Sequence, residues 1–299
     1  ATVSYWLVEQ PFRRRFRSAP PLKALAAAAA AILLVGAVAA ATVLRPGSWR
    51  SSGLREARMA AYWDYDERPD FTFQFRLGSC FRGSPNDLPF DPAVCLPLDP
   101  SRPNVAVVGD SHAAQYWRAL ALRYRQVNVI QGTGAGCTPS PDSTGREGCV
   151  EMMRYVFGPL LRSGRLDTVV LAGRWQEDQL PRLAATVAEI RRHGTQVVIL
   201  GPTVEYQGIF PALLARAMAH GDPELVRVHR DGERERLDRR MESFARRVGA
   251  RYVSVIRVLC RGRTCQLAAP DGAPMQFDYG HLTYSGSRWV VDRMPLQLP

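Results

Sequence analysis

The chain has 299 residues, 46% of them hydrophobic, and a formal net charge of +11. This length allows one or two domains with a large core. Residues 1–60 hold nine basic and two acidic residues, so +7 of the charge lies there and only +4 is left for the rest of the chain. The charge therefore indicates membrane topology and attraction to anionic lipid, and it does not indicate nucleic-acid binding.

Residues 1–22 contain a short apolar segment followed by an arginine-rich turn. Because the chain starts without Met and in the middle of a pattern, we interpret it as the C-terminal portion of a longer protein.

Residues 23–44 are predicted to form a transmembrane helix. The 21 residues from 24 to 44 contain no charged side chain. At about 1.5 Å per residue, a helix of this length spans about 30 Å, the thickness of a bilayer core. A cleaved signal peptide would lie nearer the start of the chain, and a buried Ala-rich helix would carry polar residues on one face. Basic residues are denser before the span than after it, which places the N-terminus in the cytoplasm and the following residues across the membrane.

Residues 45–102 lack a sustained period, and we interpret them as a linker and an extension on the outer side of the membrane. All six cysteines follow the predicted span, in three sequence-near pairs: Cys80 and Cys95, Cys137 and Cys149, Cys260 and Cys265. An even number outside the cytoplasm suggests disulfides. Fifteen pairings are possible, of which nearest-neighbour pairing is the simplest, and free thiols are the alternative. A CxxC motif and a paired histidine spacing are both missing, so no metal site is expected.

Residues 103–299 are predicted to form an α/β domain with a parallel five-stranded sheet. Apolar runs rich in β-branched residues lie at 105–108, 127–130, 168–171, 196–200 and 252–256. Helical segments are predicted between them at 113–125, 152–163, 179–193 and 224–248. This alternation favours a flavodoxin-like order with ligands at the carboxyl ends of the strands.

Two short motifs supply the candidate chemistry. Ser111, in the sequence Gly-Asp-Ser-His, follows the first predicted strand, and Asp278 and His281 lie in Asp-Tyr-Gly-His near the C-terminus. A serine nucleophile, a histidine base and an aspartate that orients the base are the roles required for acyl transfer through an acyl-enzyme. Ser111 could instead only cap the following helix, and His281 could be an ordinary surface histidine. His112 beside the serine is interpreted as structural.

A glycine-rich loop at 132–136 follows the second predicted strand. Because no Lys-Ser/Thr follows, it is not a Walker-type phosphate loop. We expect the backbone N–H of Gly136 or Gly134 to be a second oxyanion donor, beside the free N–H groups at the start of the helix that follows Ser111.

These motifs resemble those of the SGNH (GDSL-type) hydrolases over residues 103–299. The resemblance implies Ser111, Asp278 and His281 as the triad, with the amides of Ser111 and the glycine loop as oxyanion donors. The family usually supplies an asparagine side chain from its third motif, but here residues 171–175 read Leu-Ala-Gly-Arg-Trp. Arg174 or another donor would have to replace that asparagine.

Residues 4–13, Ser-Tyr-Trp-Leu-Val-Glu-Gln-Pro-Phe-Arg, are similar to the end of the acyltransferase-3 membrane domain, which is often fused to an SGNH domain in bacteria. The resemblance implies a bacterial inner-membrane O-acyltransferase, most simply an O-acetyltransferase, with a periplasmic catalytic domain. Its acceptor would be a cell-surface glycan such as lipopolysaccharide O-antigen. The membrane domain of the same full-length chain would take the acyl group from acetyl-CoA, and this portion would bind no cofactor. A periplasmic carbohydrate esterase and a non-catalytic glycan-binding module are the alternatives.

Overall fold

The structure, a computed structural model, describes residues 6, 10, 26, 29–37, 54–83, 89–144 and 147–299. The chain divides into two compact units, Ala1–Arg50 and Ser51–Pro299. In the first unit, residues 26 and 29–37 are helical and exposed. The rest of the predicted span and most of the predicted tail and basic turn lie outside the described residues. Within the described ranges, no helix combines the length and the apolar character needed to cross a bilayer.

The second unit begins with an N-terminal extension, defined here as residues 54–83 and 89–102, which precedes the regular α/β pattern. Its elements are α1 (Leu54–Ala60), a 3-10 turn (Tyr65–Glu67), α2 (Pro69–Phe75), β1 (Phe81–Arg82) and α3 (Pro92–Cys95). Proline occupies the first turn of both α2 and α3, where its missing N–H costs no hydrogen bond. The segment interpreted as a linker and extension thus contributes short helices and one edge strand.

The central sheet has six parallel strands in the order β1-β3-β2-β4-β5-β6. The remaining five strands are β2 (Asn104–Gly109), β3 (Asn128–Gly134), β4 (Thr168–Ala172), β5 (Gln196–Leu200) and β6 (Arg251–Val253). The predicted α/β class, parallel sheet and flavodoxin-like order of these five strands are confirmed. The prediction of only five strands is wrong, because β1 of the extension pairs with β3.

The remaining helical elements follow β2 and lie between the strands, except the last one, which follows the final strand. They are α4 (Ser111–Arg123), α5 (Glu147–Tyr155), a π-helical turn (Val156–Leu160), α6 (Leu180–Arg192), α7 (Phe210–His220), α8 (Glu224–Val228), α9 (Gly232–Val248), α10 (Val255–Leu259) and α11 (Tyr284–Arg293). The single helix predicted at 224–248 is two helices, because the side chain of Asp231 caps α9 by accepting from the backbone N–H of Glu233. The strand predicted to reach residue 256 ends at Val253, because Ser254 caps α10.

The core consists of two large apolar layers on opposite faces of the sheet and a small cluster of Phe75, Phe81 and Ala114. Val105 and Val107 of β2 belong to the layer that contains α4, α7 and α11. Ala106 and Val108 belong to the layer that contains α5, α6 and α9. This alternation is expected of a strand buried on both faces, so a ligand site on such a sheet lies beyond the carboxyl ends of the strands.

All six cysteines form disulfides, in the nearest-neighbour pairs Cys80–Cys95, Cys137–Cys149 and Cys260–Cys265. The last pair joins a small antiparallel hairpin, β7 (Cys260–Arg261) and β8 (Thr264–Cys265). The expectation of disulfides is confirmed.

Candidate active site

The turn between β2 and α4 brings Ser111 to the carboxyl edge of the sheet. Gly109 ends β2 with φ +150°, and a Cβ there would lie 1.8 Å from the carbonyl oxygen of Ala172. Only glycine therefore lets β2 approach β4 this closely. Asp110 caps α4 by accepting from the backbone N–H of His112 at 2.7 Å. Because Asp110 performs the capping, the hydroxyl of Ser111 is left for another partner.

That partner is His281. Nε2 of His281 lies 2.8 Å from Oγ of Ser111, and Nδ1 of His281 lies 2.6 Å from Oδ2 of Asp278. The other carboxylate oxygen of Asp278 accepts from the backbone N–H groups of Gly280 and His281, at 2.9 and 2.7 Å. The structure thus brings together all three predicted triad residues in one continuous hydrogen-bonded chain.

Asp278 is suited to remain ionised in this chain. Burial opposes ionisation of its carboxyl group, but the hydrogen bond and charge of His281 and the two backbone N–H groups outweigh it, so the pKa lies below its ordinary value. An ionised carboxylate at Nδ1 fixes the tautomer in which Nε2 can accept the serine proton.

His112 lies directly behind His281. The two ring centroids are 4.2 Å apart, and Nδ1 of His112 lies 3.0 Å from Oγ1 of Thr203. Burial and the nearby positive charges of His281 and Arg174 lower the pKa of His112 well below its ordinary value. A neutral, buried ring packed on His281 agrees with the structural role expected for His112.

A cavity of about 350 Å³ opens next to Ser111. It is lined by residues from the loops after β2, β3 and β4 and by one residue of the Asp-Tyr-Gly-His motif, namely Asp110, Ser111, Gly136, Cys137, Thr138, Pro139, Gly173, Arg174, Trp175, Gln176, Gln179 and Tyr279. Three loops on one edge of a parallel sheet are where a ligand site is expected.

The two expected oxyanion donors from the glycine loop differ in position. Gly136 lines the cavity, with φ +67°, whereas Gly134 is buried in β3, paired with Arg82. The amides of Ser111 and Gly136 donate to no acceptor in the part of the chain that the structure describes. The geometry favours Gly136 over Gly134 as the partner of the Ser111 amide, while the role itself stays a prediction.

Arg174 also lines the cavity, at the place of the missing asparagine. Its guanidinium donates to the carboxylate of Glu205, from Nη2 at 2.9 Å and from Nε at 3.2 and 3.3 Å, and lies 4.6 Å from the ring centroid of Tyr279. Glu205 is buried, and Arg234 lies 3.7 Å from it on another side. The remaining nitrogen, Nη1 of Arg174, has no hydrogen-bond partner among the described residues.

Sequence reasoning missed Glu205 and Thr203, which follow β5 on the same edge as the other site loops. Their only signal in the sequence is their place just past the fourth predicted strand, because residues that follow the strands of a parallel sheet share one edge.

The described residues contain no group of three or more His, Cys, Asp and Glu side chains arranged to hold a metal ion. The polar side chains that line the cavity are those of Asp110, Ser111, Thr138, Arg174, Gln176, Gln179 and Tyr279. Ser111 also bonds His281, which bonds Asp278, and the amides of Ser111 and Gly136 have no acceptor among the described residues. This set is able to activate a hydroxyl and stabilise an oxyanion.

The fold and the site define the class: an α/β protein with a Ser-His-Asp arrangement at the carboxyl ends of a parallel sheet. The family profile described as "SGNH domain (fused to AT3 domains)", AT3 being acyltransferase-3, matches residues 79–295, and the chain belongs to this family. No curated protein sequence matches the chain.

Among solved structures, the chain is similar to the periplasmic domain of the Salmonella ser. Paratyphi A lipopolysaccharide acetyltransferase. The TM-score is 0.64 at 18% identity, over 83% of this chain and 97% of that one. At this identity the likeness shows the fold alone. A putative acylhydrolase from Bacteroides fragilis gives a TM-score of 0.41 at 11% identity over 74% of this chain and 91% of that one. TesA gives 0.37 at 14% over 64% and 94%. The last two scores are too low to add to the assignment.

Proposed function

We propose that this chain is the SGNH portion of a membrane-bound O-acyltransferase, most simply an O-acetyltransferase, that acylates a hydroxyl group of a cell-surface glycan. The observation that carries the proposal is the continuous chain from Oγ of Ser111 through His281 to Asp278. Membership of a family described as fused to AT3 domains and the fold likeness to a lipopolysaccharide acetyltransferase domain support transfer to a glycan such as O-antigen.

In the first half-reaction, Oγ of Ser111 attacks the carbonyl carbon of the acyl donor while Nε2 of His281 takes its proton. The amides of Ser111 and Gly136 stabilise the oxyanion of the tetrahedral intermediate. The bond between the carbonyl carbon and the leaving group then breaks, and the proton passes from His281 to the leaving group. The product is an ester on Ser111.

In the second half-reaction, a glycan hydroxyl attacks this ester. Nε2 of His281 takes the proton of the hydroxyl group, and the charge of Asp278 stabilises the resulting imidazolium. Collapse of the intermediate forms the acylated glycan and returns the proton to Oγ of Ser111.

The wider setting is part of the same proposal. Residues 23–44 would anchor the chain in the bacterial inner membrane in contact with lipid, with a cytoplasmic N-terminus and a periplasmic catalytic domain. Three disulfides and the likeness to a periplasmic domain support that location. An acyltransferase-3 membrane domain in the full-length protein would supply the acetyl group from acetyl-CoA.

The test is the intact mass of the chain, and the release of nitrophenol, after incubation with p-nitrophenyl acetate. We expect an added acetyl group that is missing in Ser111→Ala. Equal acetylation in the Ser111→Ala variant would contradict Ser111 as the nucleophile. Absence of both the adduct and labelling by a fluorophosphonate would contradict the acyl-enzyme altogether and favour a glycan-binding module.

A periplasmic carbohydrate esterase is the second candidate, because the same Ser111 ester can react with water in place of a sugar. The two are separated by incubating the acetylated chain with a glycan acceptor and following the acetyl group. Acetylated glycan supports the transferase, whereas acetate released at the same rate with and without the acceptor supports the esterase.

A further inference from the structure

The loop that carries His281 is held from behind by α2 of the N-terminal extension. Gln74 on α2 is fully buried, and its Nε2 donates to the carbonyl oxygens of Leu282 and Gln115, each at 3.1 Å. Leu282 directly follows His281 in the chain. A side chain 207 positions upstream of His281 thus binds the backbone next to it.

The other backbone group of Leu282 is also bound by a buried glutamine. Its N–H donates to Oε1 of Gln115 at 2.6 Å. Gln115 lies one helical turn after Ser111 on α4, so the helix that carries the serine also binds the residue after the histidine. Gln74 completes this arrangement from the extension, because it binds both Gln115 and Leu282.

Tyr65 supports the same loop in two ways. Its hydroxyl donates to Oε1 of Gln74 at 3.1 Å and accepts from the backbone N–H of Tyr284 at 2.7 Å. Its ring stacks on Phe277, with centroids 4.6 Å apart, and Phe277 stacks on the imidazole of His281 at 5.6 Å with an angle of 15° between the planes. The extension therefore contacts the loop on both sides of the histidine.

We propose that Tyr65 and Gln74 are positioning residues that fix the imidazole of His281 relative to Ser111; this inference rests on the proposed function. Both residues lie before residue 79, where the match to the family begins. Each of them bonds backbone groups of the active-site loop or of α4, so an apolar side chain in its place would remove a bond that those buried groups now make. Their bonds include those to Leu282 and Tyr284, one and three residues after His281, whose Nε2 lies 2.8 Å from Oγ of Ser111.

The experiment compares two variants of the full chain in mild detergent with a matched control. Gln74→Met keeps the length of the side chain but removes its donors and its acceptor, and Tyr65→Phe keeps the ring and removes only the hydroxyl. The control is Thr195→Val, which removes one equally buried hydrogen bond, to the carbonyl of Leu166, outside the site. Three quantities are measured: the kinetics with p-nitrophenyl acetate, the melting temperature, and the low-field proton NMR signal of Nδ1–H of His281, assigned by its loss in Asp278→Asn.

We expect Gln74→Met to lower kcat by about tenfold to a hundredfold with KM within about twofold, because a misplacement of about 1 Å costs this much. We expect the His281 proton signal to shift or broaden in both variants, more strongly in Gln74→Met. Thr195→Val should lower the melting temperature without changing either readout. An unchanged signal and an unchanged kcat in both variants would overturn the proposal. If the wild-type chain showed the signal but no acetylation, the proposed function would fail, and the signal in the two variants would still decide whether they position His281.

Discussion

Asp110 and Arg174 join two loops of the candidate site, because Oδ2 of Asp110 accepts a hydrogen bond of 2.8 Å from the backbone N–H of Arg174. The same carboxylate caps α4 through the N–H of His112. One side chain next to the serine thus connects the loop after β2 to the loop after β4. Its contribution to the free energy of unfolding depends on pH.

Burial raises the pKa of Asp110 from its ordinary 3.8 to about 6, although the two N–H groups favour its ionised form. Between these two values the native state binds more protons than the unfolded state. The free energy of unfolding contributed by Asp110 therefore decreases as the pH rises from about 4 to 6, by up to about 3 kcal/mol. In Asp110→Asn this contribution is missing. Urea unfolding of both chains at several pH values should show a wild-type advantage that shrinks across this window; a constant difference would contradict the prediction.

Asp278→Asn should lower kcat for p-nitrophenyl acetate by a factor on the order of 10⁴, because an amide next to Nδ1 favours the tautomer that cannot accept the serine proton. Binding of the small substrate should hardly change. Steady-state kinetics at pH 7.5 would check this, with a thermal melt to show that the variant is folded. A loss of less than about tenfold would mean that another group orients His281.

Gly136→Ala should impair the reaction through the backbone. Gly136 and Gly164 have nearly identical φ values of +67° and +68°, and a Cβ would meet no atom within 4 Å at either position. Alanine at each position therefore costs a similar amount of stability, about 1–2 kcal/mol. Only Gly136 lines the cavity, so only Gly136→Ala should also lower kcat, by at least about tenfold, as its amide moves away from the oxyanion. Equal kcat values in both variants would exclude the Gly136 amide as an oxyanion donor.

Removal of the Cys80–Cys95 disulfide by replacing both cysteines with alanine should lower the free energy of unfolding by about 3 kcal/mol, as expected for a loop of 15 residues. The pair Cys260–Cys265 closes only five residues, for which the same relation gives about 2 kcal/mol. Chemical denaturation of the two double variants would test this order. The reverse order would mean that unfolded-state entropy does not dominate the effect of these disulfides.

Much of the domain could be predicted from sequence because most of its strands have a clear sequence pattern. Each of the five predicted strands is a short apolar run followed by a polar or glycine-rich turn, and parallel order follows from the helices between them. β1 has two residues and no pattern of its own. It is a strand only because β3 lies beside it, and sequence periodicity carries no information about such a partner.

The residues of the candidate site also fall into two groups, those that a sequence motif marks and those that no sequence pattern marks. Ser111, His281 and Asp278 could be predicted because a short motif marks each of them. Gln74 could not, because a single polar residue in a helix gives no periodic signal, and Glu205 was marked only by its place in the loop after a strand. Each becomes distinctive only when the fold buries it against the backbone of Leu282 or the guanidinium of Arg174.

Gly109, which begins the Gly-Asp-Ser-His motif, affects how a mutational scan of this chain is interpreted. Gly109 presents no chemical group to the cavity, yet an added methyl group would collide with the main chain of Ala172 in the neighbouring strand. Replacing Gly109 would abolish turnover as completely as replacing Ser111. The cause would be different, because the added side chain would displace β2 from its place beside β4. An inactive variant at Gly109 would therefore indicate a loss of folded structure, whereas an inactive variant at Ser111 would indicate a loss of the nucleophile. A measurement of the fraction of folded protein would distinguish the two.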